Sequence, residues 1–136
     1  MEPITVETIV QAPIEKVWET YTNPEHIVNW NFATPDWCCP KAENDVRVGG
    51  KFSSRMEAKD GTVGFDFGGT YDEVVPMQKL AYTFGERKAS VEFFNQIEST
   101  KVVVLFDPEN ENPIEMQRSG WQTILNNFKE YTEGLL

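Results

Sequence analysis

The sequence predicts an α+β domain in which a long C-terminal helix crosses a strongly curved antiparallel sheet. Two patterns predict this class. From Ala42 to Phe106 the chain alternates polar and apolar residues between turn signals, with no helical stretch between them. From about 114 to 135, apolar residues recur at every third or fourth position. Strands that follow one another, instead of alternating with helices, exclude a doubly wound parallel sheet. A third observation concerns the interior. Nine Phe, four Trp and four Tyr are generous for 136 residues, enough to line a hollow as well as fill a core. The whole chain, 1–136, reads as one domain of ordinary size.

The elements follow in order. Ile4, Val6, Thr8 and Val10 share one side of an alternating stretch, a half-buried first strand. Ala12-Pro13 ends it, and Ile14, Val17, Trp18 and Tyr21 give a short amphipathic helix over 13–21. Asn23 is a suitable N-cap with Pro24 at the first helical position, opening a second short helix from Pro24 to about Asn29. Residues 31–41, with Pro35, Trp37, Cys38, Cys39 and Pro40, lack periodicity and read as an ordered aromatic loop. Val46 and Val48 lead into a Gly49-Gly50 turn or bulge. Lys51 to Ala58 is a strand with Phe52, Ser54 and Met56 on one face. Asp60-Gly61 marks a hairpin. Thr62 to Val75 is a long strand with Phe65, Phe67 and Tyr71 on one face, and Gly68-Gly69 suggests a bulge in it. Lys79 to Phe84, Ser90 to Gln96 and Lys101 to Phe106 complete the strands. In the final helix Gly120 costs about 1 kcal/mol relative to Ala, so close backbone approach is expected there.

Charge and composition narrow the function. Twelve basic against 22 acidic residues give a net charge of −10. That balance disfavours a nucleic-acid partner, which needs clustered Lys and Arg, and favours simple solubility. No apolar stretch is long enough for membrane insertion. The first eleven residues carry Glu2 and Glu7 and no basic segment, unlike a signal peptide. Cys38 and Cys39 are adjacent and give no disulfide framework. These features together place the protein in the cytoplasm.

Catalytic signatures are missing. There is no phosphate loop, no G-x-S-x-G and no H-E-x-x-H. His26 is the single histidine and reads as a surface residue. Cys38 and Cys39 with His26 or Asp36 are poorly spaced for a metal. Asp66 and Asp72 alternate away from Phe65 and Phe67, on a solvated face, and Asp45 is expected to pair with Arg47. No catalytic residue, metal or cofactor is therefore assigned. What remains is apolar and concave. Phe52, Met56, Phe65, Phe67, Tyr71, Tyr82, Phe84 and Phe93 are expected on the inner sheet face, with Trp121, Leu125 and Phe128 opposite. Trp30, Phe32 and Trp37 close the mouth, and Ser54, Tyr71 and Tyr82 supply hydrogen bonds. A closed cavity of about 300–1,000 Å³ is expected. Exposed strand edges allow a monomer or a weak homodimer.

Four stretches carry a resemblance. Ala12-Pro13-Ile14-Glu15-Lys16-Val17-Trp18, then Asn23-Pro24-Glu25-His26 with Trp30, then Asp45-Val46-Arg47-Val48-Gly49-Gly50-Lys51-Phe52 running to Met56 and Asp60-Gly61, and finally Gly120-Trp121 with Leu125 stand in order along the chain. The sequence resembles the START-like (SRPBCC) superfamily, in the branch related to the C-terminal domain of the Hsp90 ATPase activator. The resemblance implies a helix-grip fold, with a seven-stranded antiparallel sheet wrapped around the final helix and a cavity between them. It implies lining positions near Trp30, Phe32, Phe52, Ser54, Met56, Phe67, Tyr82 and Trp121. It further implies a small hydrophobic ligand, lipid-like or aromatic. Chaperone contact is the alternative, and a cyclase-type or hydrolase-type enzyme a more distant one.

Overall fold

A computed structural model describes residues 2–136. Seven strands form one antiparallel sheet: β1 (Ile4–Val10), β2 (Trp37–Asn44), β3 (Lys51–Ala58), β4 (Gly64–Val75), β5 (Lys79–Phe84), β6 (Arg87–Asn95) and β7 (Thr100–Phe106). Their spatial order is β1-β7-β6-β5-β4-β3-β2. Helices α1 (Ile14–Thr22) and α2 (Pro24–Ile27) follow β1, and α3 (Ile114–Gly134) closes the chain. The sheet curls around α3. This is the helix-grip fold expected from the sequence.

Local sequence accounts for most boundaries. Pro13 is extended, with φ −68° and ψ 156°, and α1 starts directly after it. The Asn23 side chain accepts from the Glu25 N–H at 3.0 Å, which caps α2 with Pro24 at its first position. Asp60 accepts from the Thr62 N–H at 3.0 Å, and Gly61 takes φ +78°, so the β3–β4 hairpin turns where Asp60-Gly61 predicts. A two-residue turn, Gly85-Glu86, joins β5 to β6, with Gly85 at φ +65°.

Three expectations are corrected. Residues 37–41 belong to strand β2, not to the loop: Trp37 pairs with Ala58 and Asn44 with Phe52. Pairing with the strongly alternating β3 overrides the weak local signal. Pro40 is tolerated because β2 is an edge strand and its register slips between Cys38 and Lys41. The bulge in β4 lies between Tyr71 and Glu73, not at Gly68-Gly69, whose pairing with β3 is regular. Those glycines serve close approach instead. A Cβ on Gly69 would stand 2.4 Å from the Thr83 carbonyl oxygen, and the Phe52 ring lies over the same spot. Gly120 is not approached closely: a Cβ there meets nothing within 4 Å.

Helix α3 is tied to one sheet edge and to α1. Gln122 Nε2 donates to the Glu7 carbonyl at 3.1 Å, and Lys129 Nζ donates to the Ile9 carbonyl at 2.7 Å. The Gln11 N–H donates to Glu133 at 2.7 Å. Two outward carbonyls of β1 are thereby covered, while Pro40 and the register slip blunt the opposite edge at β2. Thr20 and Thr132, both fully buried, share a 3.0 Å hydroxyl hydrogen bond between α1 and α3. Phe128, also fully buried, meets Tyr21 and Trp30 edge-on.

The two glycine environments give opposite expectations. Gly120→Ala raises the unfolding free energy by about 0.5–1 kcal/mol, since the new methyl is unhindered. Gly69→Ala lowers it by about 2 kcal/mol or more, since the methyl collides with backbone. Urea denaturation of both variants checks the pair.

Candidate functional site

Between the curled half of the sheet and α3 lies a hollow of about 260 Å³. β3, β4 and β5 place Phe52, Ser54, Met56, Phe67, Tyr71, Leu80 and Tyr82 on its wall, each at alternate positions along its strand. Trp121, Ile124 and Leu125 close it from α3, and Tyr21, Ile27 and Trp30 from the short-helix layer. Phe65 also lines it and is 52% exposed, so the hollow opens to solvent at the start of β4. The expected cavity was closed and somewhat larger. A second hollow of about 230 Å³ adjoins it and shares Met56, Phe65 and Ile124, with Phe32 and Trp37 on its far side.

Of the residues singled out in the sequence, Trp30, Phe52, Ser54, Met56, Phe65, Phe67, Tyr71, Tyr82, Trp121 and Leu125 stand on the wall of the main hollow. Phe32 stands in the adjoining one. Phe84 reaches neither. It lies on the same face of β5 as Tyr82, but it packs on Phe67, Tyr82 and Trp121 and buttresses the wall from outside. Tyr21, Asn31, Asn44, Leu80, Val104 and Ile124 are wall residues that sequence reasoning missed. Tyr21 lies on the periodic face of α1, which reads as ordinary core.

The aromatic rings form a continuous layer. Phe106 stacks on Trp121 with centroids 3.9 Å apart and planes 7° from parallel. Phe52 meets Tyr82 edge-on at 4.8 Å, and Phe67 meets Phe84 at 5.4 Å. Such contacts add about 0.5–1.5 kcal/mol each beyond burial.

Several polar atoms stand on the wall. The Tyr71 hydroxyl donates to Asn44 Oδ1 at 2.6 Å, and Asn44 Nδ2 donates to the Thr22 carbonyl at 2.7 Å. Asn31 Nδ2 donates to Ser54 Oγ at 3.1 Å. Burial pushes the Tyr71 phenol up to about 12. Tyr82 is driven well above its ordinary range by burial, and then by the nearby phenols of Tyr21 and Tyr71. Tyr21 rises for the same two reasons, burial first and Tyr71 second. Burial likewise raises the Cys39 thiol, against hydrogen bonding with Ser54 and the Lys41 backbone.

His26 does not stand free on the surface. Its Nδ1 shares a 2.7 Å hydrogen bond with the Tyr131 hydroxyl, and Nε2 lies 3.5 Å from Glu19, so it fastens α2 to α3. Arg47 pairs with Asp45 at 2.8 Å, as the sequence suggests. Both cysteines are free thiols. Among the described residues no group of three His, Cys, Asp or Glu side chains is placed to hold a metal, and no helix is long and apolar enough to cross a membrane.

Residues 11–133 match the family described as "Activator of Hsp90 ATPase homolog 1-like protein". The chain belongs to this AHSA1-like family. The solution structure of the AHSA1-like protein from Aeromonas hydrophila is 37% identical to it over 98% of this chain and 93% of that one, with a TM-score of 0.92. A solution structure from Cytophaga hutchinsonii is 49% identical with the same coverages and a TM-score of 0.84. A crystal structure from Chromobacterium violaceum, 24% identical over 98% of this chain and 99% of that one at a TM-score of 0.85, shares the fold. No curated protein matches the chain.

The raised phenols give a pH dependence with a definite sign. Folding favours the neutral phenols, so this contribution is fully present below about pH 10 and is lost as pH rises toward the folded value near 12 for Tyr71. Stability falls in that window by up to about 1.4 kcal/mol per pH unit for each buried phenol that stays protonated in the fold. Phenolate absorbance and chemical denaturation followed from pH 8 to 12 check this. Ionisation of Tyr21, Tyr71 and Tyr82 near pH 10 in folded protein would contradict it.

Proposed function

We propose that this AHSA1-like chain binds a small, mostly apolar molecule in the hollow between β3–β5 and α3. One observation carries the proposal. In an interior packed ring against ring on either side of it, at Trp121 and at Phe128, a space of about 260 Å³ remains, walled by aromatic and aliphatic side chains with a few polar atoms. Protein interiors are otherwise close-packed, and this mixture of walls is what small-molecule sites use. The proposal assigns no catalytic residue, because the single histidine is engaged in fastening α2 to α3.

The family description supports a second reading, contact with an ATPase chaperone. Such contact would use the outer surface. The half-exposed Phe65, beside Trp37, is an apolar residue available at the rim.

A thermal-shift screen of neutral apolar compounds separates the two. A ligand at about one hundred times its dissociation constant adds roughly 2.7 kcal/mol, or roughly 8–10 °C for a chain of this size. Met56→Trp, which narrows the hollow, is expected to reduce the shift while leaving a cooperative melt. If no compound shifts the melt and purified chaperone ATPase is stimulated instead, the second reading replaces the first.

A further inference from the structure

Four tyrosines are present in the chain, and their hydroxyls divide into two kinds. Tyr71 is bonded to Asn44, and Tyr131 to His26. Tyr21 and Tyr82 have no hydrogen-bond partner among the described residues, although both line the hollow and Tyr82 is only 8% exposed. No fully buried polar side-chain atom among those residues lacks a partner. Neither hydroxyl oxygen is therefore shut off from open space, and the space that both residues line is the hollow.

The charge of the wall is equally selective. Glu43 is the one charged residue among the lining side chains, and it sits exposed, 3.3 Å from Lys41. Arg87, whose field reaches Tyr82, stacks on the Phe84 ring and donates to the Asp107 carbonyl, outside the wall. An ionised carboxylate brought inside would lose its hydration with no counter-ion. A buried ammonium would face the same loss, since Glu43 lies out at the solvent side. A wholly apolar guest would leave two phenol donors dry and unpaired, which is also unfavourable.

We propose that the hollow selects an uncharged molecule, apolar over most of its surface, whose carbonyl or hydroxyl oxygen is held by the Tyr21 and Tyr82 hydroxyls. This rests on the ligand-binding proposal above and narrows it to a chemical class. The phenols stay protonated across the physiological range because their burial disfavours the phenolate, so they act as donors.

A matched series tests the class. Dissociation constants are measured by ¹⁵N–¹H NMR titration near neutral pH for naphthalene, 2-acetylnaphthalene, 2-naphthoate and 2-naphthylmethylammonium. The ketone is expected to bind about tenfold more tightly than naphthalene and than either ion. Tyr82→Phe and Tyr21→Phe are each expected to remove roughly threefold or more of the ketone's advantage, with naphthalene unchanged as the control for an intact fold. Equal binding of ketone and hydrocarbon, tighter binding of an ion, or an advantage that survives both substitutions overturns the assignment of ligand class. Any of those results with shifts confined to the hollow leaves the ligand-binding proposal standing. If none of the four compounds perturbs the hollow, both fall together.

Discussion

Helix α3 is fastened along β1 and not down the middle of the sheet. Gln122 and Lys129 reach the free carbonyls of that edge strand, and Glu133 takes the N–H of Gln11 just beyond it. Two aromatic anchors then fix its depth. Near its start Trp121 lies flat on Phe106 of β7, and two turns later Phe128 is wedged among Tyr21 and Trp30. A helix held this way cannot slide toward β3 and β4. The far half of the sheet has to curl back to meet it, and between the anchors the two surfaces do not touch completely. The hollow under Ile124 and Leu125 is the geometric remainder of that arrangement.

The curl itself has a local cause. Gly68 and Gly69 let β3 and β5 come closer to β4 than side chains would permit, and Phe52 covers the bare backbone. The slip after Tyr71 adds a further bend. Phe67 and Tyr71, on either side of the glycine pair, thereby turn toward α3 along with Tyr82. Tyr71 is fixed separately. Asn44 bridges the Thr22 carbonyl and the Tyr71 hydroxyl, so that phenol is spent on holding β4 to the short-helix layer. Tyr21 and Tyr82 have no such duty and face the hollow.

Much of this was legible in the residues. Lys51 to Ala58 alternates so cleanly that the strand begins and ends where the pattern does, and Ile114–Gly134 follows its apolar period almost to the residue. Strand β2 was hidden, because Pro40 and the paired cysteines lack a two-residue apolar period and only the partner β3 makes them a strand. Ten wall residues could be named because they share an inward face with large neighbours. Phe84 shares that face too, and what keeps it from the hollow is Trp121, seated across it from a helix far along the chain. Tyr21 shows the reverse limit. Its spacing on α1 marks it as buried, but whether it meets solid packing or a space depends on where α3 stops.

The central claim is that the space between the anchors receives a guest. Intermolecular nuclear Overhauser effects between the protein and 2-acetylnaphthalene test it most directly. Contacts from the naphthalene protons to the Met56 methyl and to the methyls of Ile124 and Leu125 are the predicted result. Contacts confined to exposed methyls such as those of Ile97 and Met116, with none from the hollow, would contradict the account.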